Sequence, residues 1–248
     1  MISPGDIQGH WRRAWLKAPG RVDHETAVHW MQSGLVYADI RIPCPRPDIR
    51  GATALSDLGD ATLLGLLSAE GFAGEITLDD GICTWRRDLN WHGRPESVDA
   101  GRLRLEAWHE LVEDGVHAEY SELWHRSGEA SGFARRFVSG GVAAVLVSVG
   151  DRFVFGFGQA DLAPPEAART ALAAGQRTDA LARQFSEGFV FGRWTGEAGV
   201  ACLATNPLWE SEPVIRLDGR NLHFVARDFF GEPIEVAFET ETESIRAA

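Results

Sequence analysis

Cysteine is scarce in this chain of 248 residues, and the little there is forms no pattern. Cys44, Cys83 and Cys202 are odd in number and make no CxxC pair, which argues against a disulfide framework and against a zinc site. Long apolar runs are missing too: nothing approaches the roughly 18 residues of a membrane-crossing helix. The opening MISPGDIQGHWRRAW carries no apolar core of signal-peptide length. Positive charge is in deficit, with 24 Lys and Arg against 36 Asp and Glu, a net charge of −12. Neither a nucleic-acid backbone nor an anionic membrane surface is therefore expected as a partner. Basic pairs such as Arg12-Arg13 and Arg86-Arg87 make no patch, because adjacent residues on a strand face opposite ways. HExxH, HxH, GxGxxG, GxxxxGK[ST] and GxSxG are all absent, which sets those metal, nucleotide and hydrolase classes aside. The expectation is a protein of the reducing cytoplasm without a cofactor.

What is present is ordinary globular material, 44% hydrophobic and 24% charged, with nine Trp and thirteen Phe to fill a core or line a cavity. The length suits one large domain or two of about 120 residues. Self-similarity favours two. Glu70-Gly71-Phe72 recurs as Glu187-Gly188-Phe189, and GICTWRRDLNW (81–91) lies against GVACLATNPLW (199–209). GHWRRAW (9–15) resembles GFARRFV (132–138), and LVY (35–37) faces FVF (153–155). Matches in one order at offsets of about 117 to 123 read as a tandem duplication, with domains 1–128 and 129–248.

Each half reads as three short strands, a Pro-marked loop, a helical stretch and several more strands. The first half has strands near 10–16, 26–31 and 35–42 and a helix near 55–69 carrying Leu at helical spacing. The second has strands near 133–138, 142–149 and 152–158, then a helical stretch opened by Pro164-Pro165 that breaks at Gly175. Hairpin signals at Asp79-Asp80-Gly81, Asp114-Gly115, Gly150-Asp151 and Asp218-Gly219 imply antiparallel meanders. The fold class is mainly β: two tandem antiparallel barrels, each with one helical insertion, against a single large sandwich as the competing architecture.

Trp-Met-Gln (30–32), Tyr-Ala-Asp-Ile-Arg-Ile-Pro (37–43), Gly-Phe-Ala-Gly (71–74) and Cys-Thr-Trp-Arg-Arg (83–87) carry a family resemblance. The pattern, concentrated in residues 9–126, is similar to that of fungal casein-kinase-interacting proteins and their bacterial relatives. The resemblance implies two calycin-like (lipocalin- or nitrobindin-like) barrels, with small-molecule or protein binding, and no catalytic set. A nitrobindin-like barrel could hold haem through one histidine, although no histidine is singled out for it.

Three groups of residues could carry chemistry. On the strand LVYADIRIP, Tyr37, Asp39 and Arg41 share one face, with neighbours about 6.5–7 Å apart. They line a pocket where Arg41 holds a ligand anion, or they form an internal ion pair. The repeat sets this strip against Phe155, Phe157 and Gln159, so a ligand site belongs to the first barrel. A two-residue turn at Asp114-Gly115 would pair His109 with Tyr120, Ala107 with Glu122 and Leu105 with Trp124. That places His109, Tyr120 and Glu122 on a buried face, as an acid–base set or a satisfied network. Finally, Cys83, Trp85, Leu89 and Trp91 share a face that reads as core.

The leading functional reading is a lipocalin-like binding protein. Its first barrel takes a small apolar or aromatic molecule, neutral or anionic, against Tyr37, Asp39, Arg41, Trp85, His109, Tyr120, Glu122 and Trp124. The alternatives are a protein-interaction module with filled barrels, and a cofactor-free isomerase or cyclase using His109 and Glu122.

Overall fold

Alternation of apolar and polar residues, broken by Gly-containing turns, folds the chain into two closed antiparallel barrels of eight strands in tandem. The structure, a computed structural model, describes residues 2–93, 95, 97–128, 131–159 and 165–241. The first barrel comprises β1 (Gly9–Ala18), β3 (Ala27–Ser33), β4 (Val36–Ile42), β5 (Glu70–Asp79), β6 (Ile82–Asn90), β7 (Asp99–Ala107), β8 (Glu110–Gly115) and β9 (Ser121–Arg126). It closes through β1 and β9, while the short β2 (Arg21–Asp23) folds back on the end of β1. The second runs β10 (Gly132–Ser139), β11 (Val142–Val149), β12 (Arg152–Gly158), β13 (Gly188–Thr195), β14 (Ala198–Ala204), β15 (Pro213–Asp218), β16 (Asn221–Arg227) and β17 (Pro233–Thr240).

The helical insertions follow the third barrel strand of each half. In the first, the expected single helix is a 3₁₀ turn at Leu55–Asp57 and then α1 (Asp60–Leu66), divided by the extended Gly59. In the second, α2 (Pro165–Ala173) and α3 (Asp179–Ser186) are divided at Gly175, whose φ of 72° no helix continues through. Pro164 lies outside the described residues, as do Glu129 and Ala130 between the barrels.

Both barrels carry the same defect at the same place. The β5–β6 register shifts between Ala73 and Gly74, and the β13–β14 register shifts between Phe191 and Gly192. A Cβ at either glycine would run into a facing backbone carbonyl, Arg86 or Val200, so both bulges require Gly. This anchors the repeat at Gly74 and Gly192. The Glu-Gly-Phe match is one residue out of step with it: Phe72 packs inside the first barrel, whereas Phe189 packs between the barrels.

Strand β4 serves both compartments. Its even face (Ala38, Ile40, Ile42) joins Met31, Ala73 and Leu89 in an apolar core shared with Val145, Val147, Val154, Phe189 and Phe191 of the second barrel. The two barrels thus bury one continuous interface, onto which α1 and α3 add Leu63, Leu66, Leu181 and Phe185. At its edge His10 and His29 meet through Nε2 and Nδ1 at 2.9 Å, with the His29 ring stacked on Phe191 at 3.7 Å. Burial pushes the two imidazoles down to about 4 and about 3, which keeps both neutral. The odd face of β4 points the other way, into the first barrel.

Candidate functional site

The interior of the first barrel is built on tryptophan. Trp30 on β3 lies edge-on to Trp85 of β6 at 5.8 Å and to Trp124 of β9 at 5.6 Å, with Trp11 stacked at 6.1 Å behind it. Above this floor the barrel is not filled. A cavity of about 190 Å³ remains, and Tyr37, Asp39 and Arg41 line it from β4. Seven of the eight residues expected at a site share this chamber: Tyr37, Asp39, Arg41, Trp85, Tyr120, Glu122 and Trp124.

His109 is the exception. It sits exposed in the β7–β8 turn, beside the exposed Trp108. The expected register fails because Asp114-Gly115 is not a turn. Gly115 ends β8, its N–H donates to the Tyr120 carbonyl at 2.9 Å, and Val116–Glu119 make the connection. A Cβ at Gly115 would lie 2.3 Å from the Ala118 carbonyl and 2.4 Å from the Tyr120 ring, so this glycine permits close approach and not a reversal. The observed partners are Leu111 with Trp124, Glu113 with Glu122 and Asp114 with Ser121. No His109–Glu122 acid–base pair exists.

Glu113 takes the place that His109 was expected to hold. Alternation with Leu111 turns it inward, where its two oxygens accept from the Tyr120 hydroxyl at 2.7 Å and the Trp124 indole N–H at 3.1 Å. Burial, then the facing Glu122 carboxylate, push its carboxyl up to about 8, so it holds a proton at neutral pH. Asp39 is raised to about 6 by the same burial, opposed by Arg41.

The charges of the chamber are matched within the protein. Arg41 Nε donates to Asp39 Oδ1 at 3.0 Å, and its Nη1 lies 3.9 Å from Glu122. Arg13, buried at a bulge in β1, divides its guanidinium between Glu122 at 2.6 Å and Asp23 at 2.8 Å. Arg87 pairs with Asp99 at 2.6 Å, and both Arg87 and Arg41 lie over the Phe72 ring, at 3.7 and 4.9 Å. Sequence reasoning missed Arg13, Trp30, Phe72, Arg87, Asp99 and Glu113. Arg87 shares the inward face of Cys83 and Trp85 by plain alternation; the extra residue of the bulge, Asp88, follows it and reverses the face of everything after it. For that reason Cys83 and Trp85 point into the barrel, whereas Leu89 and Trp91 join the interface between barrels.

One polar group in the chamber's wall is unmatched. The Trp30 indole nitrogen is buried and has no hydrogen-bond partner among the described residues. An orphaned buried donor costs roughly 1–3 kcal/mol, so a guest with an acceptor would relieve it. No histidine lines the chamber, so a haem carried on an axial histidine does not fit it. Cys83 is buried in the wall, and burial pushes its thiol up, the reverse of an activated nucleophile.

In the matching place of the second barrel the described residues pack aromatic side chains against one another. Its counterparts of Tyr37, Asp39 and Arg41 are Phe153, Phe155 and Phe157, two residues earlier than the sequence alignment placed them. Phe157 packs on Phe224 at 4.5 Å and on Trp209 at 6.0 Å, and Phe155 on Phe238 at 6.1 Å.

The fold and site define a tandem-barrel protein with one filled barrel and one chambered barrel. No family model matches the chain, and no curated protein matches its sequence. Among solved structures it is similar to YLR301w, an uncharacterised protein of Saccharomyces cerevisiae, at 11% identity and a TM-score of 0.53. The match covers 95% of this chain and 98% of the yeast chain, so it extends over both barrels. At that identity the likeness concerns the fold alone. Among the described residues, no helix is long and apolar enough to cross a membrane.

Proposed function

We propose that the protein is a lipocalin-like binding protein of the cytoplasm whose first barrel takes one small neutral molecule. The observation that carries this reading is the unpartnered Trp30 indole N–H in a chamber whose charges are otherwise paired. A ligand acceptor would satisfy the indole, and the aromatic floor would supply apolar contact. The anionic ligand expected from Arg41 is disfavoured, because Arg41 is committed to Asp39 and Glu122. An added charge in this chamber would lack a counter-ion, at a desolvation cost of several kcal/mol. The free state of all three cysteines supports a reducing compartment.

The interaction-module alternative draws support from the filled second barrel and from Trp108, 73% exposed on the first. A partner such as the casein kinase of the similar fungal proteins would use that outer surface and leave the chamber free. Native mass spectrometry of freshly purified protein tests the leading reading. An added small-molecule mass that disappears in Trp30→Phe is the expected result. An adduct that survives Trp30→Phe unchanged contradicts it.

A further inference from the structure

The chamber is small for a ligand site. At about 190 Å³ it falls below the roughly 300–1,000 Å³ typical of small-molecule pockets. A second cavity, also of about 190 Å³, lies against it and shares three of its wall residues, Arg87, Asp99 and Tyr120. Together the two reach the lower end of that range.

The barrel wall explains why they touch. Strand β6 runs to Asn90, yet it pairs with β7 only from Ile82 to Trp85, the last pair being Trp85 with Asp99. Beyond that point, among the described residues, β6 pairs with β5 alone, and the sheet is open on its β7 side. Across the opening the closure is made by side chains: Arg87 Nη2 donates to Asp99 Oδ2 at 2.6 Å and Nε at 3.2 Å. Both partners keep about a fifth of their side-chain surface exposed, at 19% and 23%, so this pair faces water on one side. Apolar side chains of Val98, Ala100 and Ala118 line the outer cavity. Among the described residues its charged members, Arg87 and Asp99, pair with each other, and His117 also lies in its wall.

We infer that the two cavities are one site joined through the break between β6 and β7, and that it takes a neutral carbonyl compound with a short apolar tail. The carbonyl oxygen accepts from Trp30 in the inner chamber, and the tail passes the Arg87–Asp99 pair to lie on Val98, Ala100 and Ala118. This inference rests on the binding reading above and adds the ligand's class and its route.

The test uses the whole protein and a homologous probe series, acetamide, N-methylacetamide, N-propylacetamide and N-butylacetamide, with affinities from chemical-shift titration. Wild type should bind acetamide, and each added methylene that reaches the outer cavity should tighten binding by about fourfold. Ala118→Phe, at an exposed loop position, fills the outer cavity. It should leave the acetamide affinity unchanged and abolish the gain with chain length. Val98→Ser, at a side chain 60% exposed, should reduce that gain without touching the inner chamber. If acetamide binds but longer members gain nothing, or gain equally in Ala118→Phe, the joined site is wrong and the inner-chamber reading stands. If no member of the series binds wild type, both fail.

Discussion

Strands β4 and β12 hold the same station in two barrels of one chain and teach opposite lessons. Tyr37, Asp39 and Arg41 leave space beside them, whereas Phe153, Phe155 and Phe157 are buried in an aromatic core. The outward faces of the two strands are alike, Ala38 and Ile40 against Val154, because both bury the same interface. The duplication therefore kept what joins the barrels and let their contents diverge. A closed barrel satisfies its backbone hydrogen bonds whatever fills it, so the interior was free to change.

The sharpest way to break that contrast is to put an acid where the second barrel has none. Phe155→Asp buries a carboxylate among Phe157, Phe224 and Phe238, and should cost more than about 4 kcal/mol in denaturant unfolding. Tolerance of Asp at 155 would mean that the second barrel is as polar inside as the first. In the first barrel the equivalent danger lies in the cation. Arg13→Met leaves Glu122 only the more distant Arg41 and Asp23 only the exposed Arg21, and should cost about 3–5 kcal/mol. Adding Asp23→Asn and Glu122→Gln to that variant should restore most of the loss.

A pH-dependent effect separates Glu113 from the ion pairs. Its carboxyl is raised from 4.5 to about 8 on folding, so the folded state keeps a proton that the unfolded chain has lost. The stability this contributes is complete below pH 4.5 and disappears as the pH rises through about 8. Glu113→Gln cannot lose that proton. Its stability relative to wild type should therefore increase steadily from about pH 4.5 to 8 and level off above, as read from denaturation midpoints across the range. A difference that is flat with pH would show that Glu113 is ionised in the folded protein.

Much of this was legible in the sequence, and the failures have identifiable causes. Period-two alternation placed Tyr37, Asp39 and Arg41 on one face without saying that it points inward, and the Gly-marked turns, Asp114-Gly115 apart, gave the antiparallel meander of both halves. A bulge accounts for part of the failure. The extra residue at Asp88 turned Leu89 and Trp91 away from the face of Cys83 and Trp85, whereas Arg13 and Arg87, inward by plain alternation with Trp11 and Trp85, were passed over as members of basic pairs. Gly115 misled for another reason: a glycine required by a neighbouring carbonyl looks, in sequence, like a glycine required by a turn. The orphaned indole of Trp30 leaves no trace in sequence, because it is defined by the absence of a neighbour.

The smallest effect on stability belongs to the residue with the largest expected effect on binding. Trp30→Phe removes an N–H that nothing in the protein accepts, and keeps an aromatic ring on the floor. It should change stability by less than about 1.5 kcal/mol while removing ligand affinity.

The indole N–H resonances of the nine tryptophans offer the direct test, with the Trp30 signal assigned by its loss in Trp30→Phe. On titration with N-methylacetamide, the Trp30 signal should shift saturably, while those of Trp194 and Trp209 in the second barrel stay where they are. A Trp30 signal that does not move, or second-barrel signals that move with it, would contradict the division of the molecule into one chambered and one filled barrel.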